Sequence, residues 1–282
     1  MQLSDRALLV QLSISQWTAR KYDKRVTKEV ADQHNTTTAA GRYNKSLLPM
    51  NDLLDRVHKK AGFIRQQYYT NTLPWGIEGT QMLPTSNYLS FMSEFRKHKG
   101  DWETLVDDFV ANYPLLKADA KRTLGSMYNE DDYPTDDAIA AKFRMDMAVF
   151  PVPSTDFRVA LSSEELSSIK ADIETRLRDA STSAMNDVWT RLFDRVQHIA
   201  DKLADPSAIF RDSMLENARE LCALLPRLNF ADDPNLERMR LQVEGRLVSH
   251  NPEALRNDPD LRRNTALEAK QIMDKMRAFM GA

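Results

Sequence analysis

The chain has 282 residues and 32.4 kDa, with 39 Lys and Arg against 41 Asp and Glu, 42% hydrophobic residues and only 8 glycines. These values exclude a disordered or fibrous chain, and the scarcity of glycine leaves little material for the Gly-rich phosphate loops of nucleotide enzymes. The single cysteine, Cys222, excludes an intramolecular disulfide and a cysteine-rich zinc site, and a reducing, cytoplasmic setting is expected.

No run of about 18 apolar residues occurs, so no membrane-spanning helix and no membrane partner are expected, and the N-terminus lacks the pattern of a signal peptide. The charge is laid out unevenly: residues 1–100 net plus 7, residues 101–160 net minus 6, and the remainder minus 3. A basic front of this size is compatible with a polyanion site but modest beside dedicated nucleic-acid binders.

In chain order, Leu8, Val10, Leu12 and Ile14 alternate with mostly polar neighbours, which predicts a strand over residues 6–14. From Ser15 to His34 the spacing of Trp17, Ala19, Val26 and Val30 predicts a helix with a basic face. The polar stretch His34 to Asn44 reads as a loop, either an ordinary surface loop or one whose framing cations close over an anion. Leu47 to Tyr69 reads as helix, with Lys59, Lys60 and Arg65 extending the basic side. Pro74, Gly76, Gly79 and Pro84 then require a shaped loop, with Trp75 as its anchor on the core or, alternatively, as a stacking platform.

Two helices are expected between Tyr88 and Ala118, separated by a turn at His98 to Trp102 and with Asp101 capping the second. The stretch from Glu130 to Asp137 crowds Glu130, Asp131, Asp132, Asp136 and Asp137 together. Such oxygen ligands suit a hard cation, but the calcium-loop spacing is absent, so a solvated loop and helix cap is expected in preference to a metal site. Alternation at Met145, Met147 and Val149 and again at Phe157, Val159 and Leu161 predicts a hairpin that the N-terminal strand can join, giving a sheet of about three strands.

The C-terminal part reads as helix throughout. Ser162 and Glu165 form a capping-box pair, and the run behind them has no proline or glycine before Pro206, so a helix of about 42 residues, about 63 Å long, is predicted. Leu166, Ile169, Ile173, Leu177, Ala180, Ala184, Val188, Leu192, Val196, Ile199 and Leu203 draw one apolar stripe along it that is not a clean heptad, which suits a bundle or a short coiled coil. Helices are expected over Ser207 to Leu225, Asn235 to Val248 and Thr265 to Met280, with Cys222 as a core residue and the methionine-rich last helix packing on a partner. The expected fold class is mainly α, a long-helix bundle with a small antiparallel sheet. The expected division is a mixed region 1–161 and a helical region 162–282, or a single integrated domain.

Catalytic patterns are lacking. No two of the five histidines have ligand spacing, and neither a nucleophile elbow nor a Walker loop is present, so no catalytic residue, cofactor or metal is expected and the chain is read as non-enzymatic. A two-metal hydrolase using Asp131, Asp132, Asp136 and Asp137 is the least favoured reading, because adjacent side chains point apart. The candidate nucleic-acid-binding residues are Arg20, Lys21, Lys24, Arg25, Lys28, Arg42, Lys45, Lys59, Lys60 and Arg65, with Tyr68 and Tyr69 among the interleaved rings. They supply cations for phosphates and faces for bases. Trp75, Gly76 and Gly79 form a candidate partner-binding loop.

The strings QWTARKYDKRVTKEV, GRYNKSLLP, TLPWGIEGTQMLP and PVPSTDFRV, in this order, resemble a family of phage and mobile-element proteins defined only as a domain of unknown function. Members tend to be encoded near MoxR-type ring ATPases and recombination genes. The resemblance implies an accessory role in phage or mobile-element DNA metabolism, with single- or double-stranded DNA as ligand. Its alternative is an adaptor for a MoxR-type AAA+ ATPase or a host target with no nucleic-acid contact. It transfers no catalytic residue, and a homo-oligomer is expected in either case.

Overall fold

The computed structural model describes residues 3–49, 51–155 and 162–280. The chain is mainly α. Its helices are α1 (Lys24–Gln33), α2 (Asp52–Asn71), α3 (Thr85–Leu124), α4 (Ser163–Ala204), α5 (Ser213–Leu228), α6 (Pro234–Val243), α7 (Pro252–Asn257) and α8 (Pro259–Met280). Strands β1 (Ala7–Ser15), β4 (Leu73–Pro74), β5 (Thr80–Pro84) and β6 (Arg144–Pro151) form one small sheet in the order β4-β5-β1-β6. Strands β2 (Arg20–Tyr22) and β3 (Asn44–Ser46) pair separately. Among the described residues no helix is long and apolar enough to cross a membrane.

The chain forms two compact units, each discontinuous in sequence. Unit 1 comprises residues 1–11, 68–92 and 148–282, and unit 2 comprises residues 12–67 and 93–147. The units thus divide the chain elsewhere than at residue 161.

Unit 1 is built on α4. Ser162 accepts from the backbone N–H of Glu165 and its hydroxyl donates to the Glu165 carboxylate at 3.0 Å, so the N-cap forms and the helix runs its expected 42 residues. From Ala184 onward the stripe is sealed, with Val188, Leu192, Val196, Ile199 and Leu203 at most 2% exposed. It packs chiefly against α8, whose Ala269, Ile272, Met273 and Met276 face inward, and also against α5 and α6. Cys222 lies buried in that core, as expected.

The expected start of α5 at Ser207 moves to Ser213, and Pro226 is carried inside its last turn. The region read as a connection before the last helix contains α7, and α8 begins earlier, at Pro259. A π-helical stretch, Glu244–Val248, follows α6.

The first strand forms as expected and β5 pairs antiparallel with it, from Ala7 opposite Pro84 to Gln11 opposite Thr80. The shaped loop is therefore a tight hairpin, β4 to β5, whose turn needs Gly76 (φ 83°) and Gly79 (φ 76°) in the left-handed region. Trp75 is 8% exposed and anchors the turn in the core. Strand β6 forms, but its expected hairpin partner, Phe157 to Leu161, lies outside the described residues.

Unit 2 departs further from expectation. The helix expected from Ser15 to His34 is shortened to α1, because Ala19 takes a left-handed conformation (φ 50°) and turns the chain into β2. The two helices expected between Tyr88 and Ala118 are one helix, α3, with Gly100 and Pro114 inside it. An interior glycine costs about 1 kcal/mol and an interior proline about 3 kcal/mol. Burial of Phe95, Trp102, Val106, Phe109 and Tyr113 along one face outweighs both. Asp101 is accordingly no cap; it lies inside α3, and Lys60 binds it at 2.7 Å. The core of unit 2 is aromatic: Trp17 lies edge-on to Tyr113 at 5.7 Å, Phe109 meets Phe143 at 5.5 Å, and the Tyr113 hydroxyl donates to Pro134 O at 2.9 Å.

Candidate nucleic-acid interface

Ten of the basic candidates lie in unit 2, and the fold sorts them by what surrounds each one. Strands β2 and β3 pair with Arg20 opposite Ser46, Lys21 opposite Lys45 and Tyr22 opposite Asn44. Two lysines directly opposite each other repel, so this ladder needs an anion. Asp132 supplies it from the acidic stretch, at 2.8 Å from Lys45 Nζ and 3.8 Å from Lys21 Nζ.

Lys45 is 6% exposed, donates to Met127 O at 2.7 Å and sits 3.7 Å from Asp23. It is thus a buried, compensated cation rather than a phosphate contact, which corrects its sequence reading. Asp23 also caps α1 by accepting from Val26 N–H at 3.0 Å. That hydrogen bond first, and then the neighbouring charges of Lys45 and Arg25, hold its carboxyl below the usual range.

The acidic stretch is largely exposed, as a solvated loop and cap would be, with Asn129 accepting from Asp131 N–H, but it also reaches cations of unit 2. Besides Asp132, Glu130 binds Lys117 at 2.7 Å and Tyr128 Oη at 2.7 Å, with Asp136 3.7 Å from Lys117. Burial and that Glu130 hydrogen bond push the Tyr128 hydroxyl up to about 12. Tyr133 ties the same stretch to the residue that follows β3 by donating to Leu47 O at 2.6 Å. Among the described residues, no group of three or more His, Cys, Asp and Glu side chains is placed to hold a metal ion.

Lys21, Lys24, Arg25 and Lys45 come together around a cleft of about 350 Å³ that Asp23, Tyr128 and Asp132 also line. Its cations are largely answered from within. Arg25 reaches Glu29 at 3.5 Å and Ser126 O at 3.5 Å. Unit 2 as a whole holds 19 Lys and Arg against 17 Asp and Glu, a net of plus 2, so the fold brings the acidic stretch onto the basic front.

A smaller set stays exposed and in no ion pair among the described residues: Arg20, Lys24, Lys28 and Arg42. Three hydrogen bonds hold the segment bearing Arg42 against the one bearing Lys24 and Lys28. Asp23 N–H donates to Tyr43 O at 2.9 Å, Tyr43 N–H donates to Thr27 Oγ1 at 3.0 Å, and Thr27 Oγ1 donates to Asp23 O at 2.7 Å. The end of the His34 to Tyr43 loop is thereby fixed against the first turns of α1, where Lys24 and Lys28 lie one turn apart. Arg42 stacks over Tyr22 at 5.8 Å, and Tyr43 is 42% exposed.

The other candidates fall outside this set. Lys59 and Arg65 are exposed on α2, whereas Lys60 is held by Asp101. Tyr68 and Tyr69 belong to unit 1. Tyr68 is 2% exposed and its hydroxyl donates to Val10 O at 2.8 Å, so it offers no face to a base, a second correction, while Tyr69 is half exposed. Trp75, Gly76 and Gly79 also lie in unit 1, with Trp75 plugged into the core. Burial first pushes the Cys222 thiol up to about 11, the reverse of an activated nucleophile.

The role of Asp132 and Asp23 was not visible in the sequence. The carboxylates were, but not their partners, because nothing local marks which distant lysine each one meets. No family model, no curated protein and no solved structure matches this chain.

Proposed function

We propose that this protein is a non-enzymatic nucleic-acid-binding accessory of phage or mobile-element DNA metabolism, and that Arg20, Lys24, Lys28 and Arg42 meet the phosphates while Tyr43 meets a base. The observation that carries this reading is the tethering of Tyr43 to Asp23 and Thr27. It sets Arg42 and an exposed ring beside a helix turn bearing Lys24 and Lys28, cations that are in no ion pair among the described residues. The family resemblance supplies the biological setting.

The test is fluorescence anisotropy of labelled single- and double-stranded oligonucleotides across a salt series. Four phosphate contacts give a slope of log affinity on log salt of about −3 to −4. A variant with all four residues changed to Ala loses that slope and most of the binding, whereas Lys59→Ala with Arg65→Ala does not. Absence of binding at low salt, or equal loss in both variants, overturns the reading and directs the search to protein ligands, the ring ATPase first.

A further inference from the structure

Nucleic acid meets a basic surface either as a duplex or as an unpaired strand, and the surroundings of Lys24 and Lys28 discriminate between the two. At 100° per residue, Thr27 and Ala31 lie to one side of these lysines on α1 and are buried, while Asp32, Arg25 and Glu29 lie to the other side and are exposed. The outermost face of α1 therefore belongs to Asp32, Arg25 and Glu29. Arg25 is paired with Glu29 at 3.5 Å, so this face carries a net negative charge. Lys24 and Lys28 stand on its shoulder, on the side where Thr27 holds the segment that bears Arg42 and Tyr43.

A helix that reads duplex DNA puts its outermost face into the major groove, between two walls of phosphates. On α1 that placement carries Glu29 and Asp32 between the phosphates and holds Lys24 and Lys28 to one side. Like charges brought together in this way oppose docking. A single strand needs no groove and presents one row of phosphates, which the shoulder cations and Arg42 can follow. Its bases are also free to stack on a protein ring, whereas a paired base must first leave its own stack. Tyr43 offers such a ring: it is 42% exposed, it is anchored through its backbone N–H and C=O, and no other ring lies against it among the described residues. Arg20 projects to the same side of β2 as Tyr22, over whose ring Arg42 lies, and extends the cationic row at that end.

We propose that the ligand of this surface is a single strand rather than a duplex, that Tyr43 stacks one unpaired base while Lys24, Lys28 and Arg42 hold the neighbouring phosphates, and that Glu29 and Asp32 turn a duplex away. The inference rests on the reading of this surface as a nucleic-acid site and narrows that reading to one substrate class.

Anisotropy of a labelled oligo-dT strand of about 20 nucleotides, with an unlabelled duplex of the same length as competitor, tests it. The strand binds about tenfold or more tighter than the duplex. Tyr43→Ala weakens strand binding by about tenfold without altering its salt dependence, and Tyr43→Phe restores it, both with an unchanged far-ultraviolet circular dichroism spectrum. Glu29→Gln combined with Asp32→Asn tightens duplex binding more than strand binding. Binding of neither form at low salt overturns the nucleic-acid reading and this inference together. Salt-dependent binding that is equal for strand and duplex keeps that reading and overturns this inference alone. So does strand binding indifferent to Tyr43→Ala, or a preference for the strand that the Glu29 and Asp32 variant leaves unchanged.

Discussion

The two units hold themselves together by different physics. Unit 1 is a set of long helices closed by aliphatic stripes, in which Val188, Leu192, Val196 and Ile199 of α4 meet Ile272 and Met276 of α8 with almost no exposed area. Unit 2 is closed by rings and by a buried charge group, Lys45 between Asp132 and Asp23, with a cross-strand lysine beside it. Apolar burial tolerates trimming in proportion to the area lost, whereas a buried charge is all or nothing, because its remaining partners are stranded when it goes. Unit 2 is therefore the part of the molecule that a single charge change should break.

The largest expected effect follows from that contrast. Lys45→Ala removes the buried cation between Asp23 and Asp132, leaving Asp132 only the more distant Lys21 at 3.8 Å, and destabilises unit 2 by about 3–5 kcal/mol. Denaturant unfolding followed through Trp17 and Trp102, both in unit 2, reads it. A loss under about 1 kcal/mol would show the charge group to be ornamental.

Next, Leu192→Ala opens a cavity under α4 and costs about 2–5 kcal/mol. That loss is reported by Trp75 and Trp189 in unit 1 and leaves the hydrogen-exchange protection of α1 unchanged. Uniform loss across both units would erase the distinction between them.

Acidification separates the units in sign. Asp187, on α4, has its carboxyl pushed up, mainly by burial and in spite of Arg191 at 2.7 Å. A raised folded value is a penalty above that value and is relieved as pH falls through it. Asp23 has a lowered value, so its contribution is full above the ordinary carboxylate range and is lost only as pH falls below it. Asp187→Asn is accordingly stabilising near neutral pH, with a gain that shrinks as pH drops, while Asp23→Asn is destabilising near neutral pH and converges with the unaltered protein in acid. Thermal melts from pH 7 down to pH 3 check both, and parallel pH profiles for the two variants would contradict the assignment.

The smallest effect is Ser162→Ala, which removes the α4 cap and costs about 1 kcal/mol. It frays only the first turn of the helix, and amide exchange at Glu165 and Leu166 measures it.

This contrast also explains what could be read from the sequence. The start, length and stripe of α4 were legible because a capping box and a 3.6-residue period are local signals, and they are answered by local geometry. The continuity of α3 was not, because Gly100 and Pro114 are local breakers overruled by aromatic burial that draws on distant residues such as Trp17 and Phe143. Strands β2 and β3 are three residues each, too short to display a period. The basic front was visible as a composition, yet its division into answered and unanswered cations was not. Lys45 and Lys28 look alike in a row of letters, and only the return of Asp132 from far along the chain tells them apart.

The interleaving of the two units sets a timetable for synthesis. All of unit 2 lies within the first 147 residues, whereas unit 1 begins with residues 1–11 and is completed only by the helices after residue 162. Translation therefore delivers the aromatic, charge-bearing unit whole while strand β1 and the β4-β5 hairpin still lack the long helix that buries Leu9, Leu73 and Trp75. During that interval the nascent chain carries a finished module and an orphaned apolar sheet edge together, and the orphan is the part that a chaperone would be expected to hold.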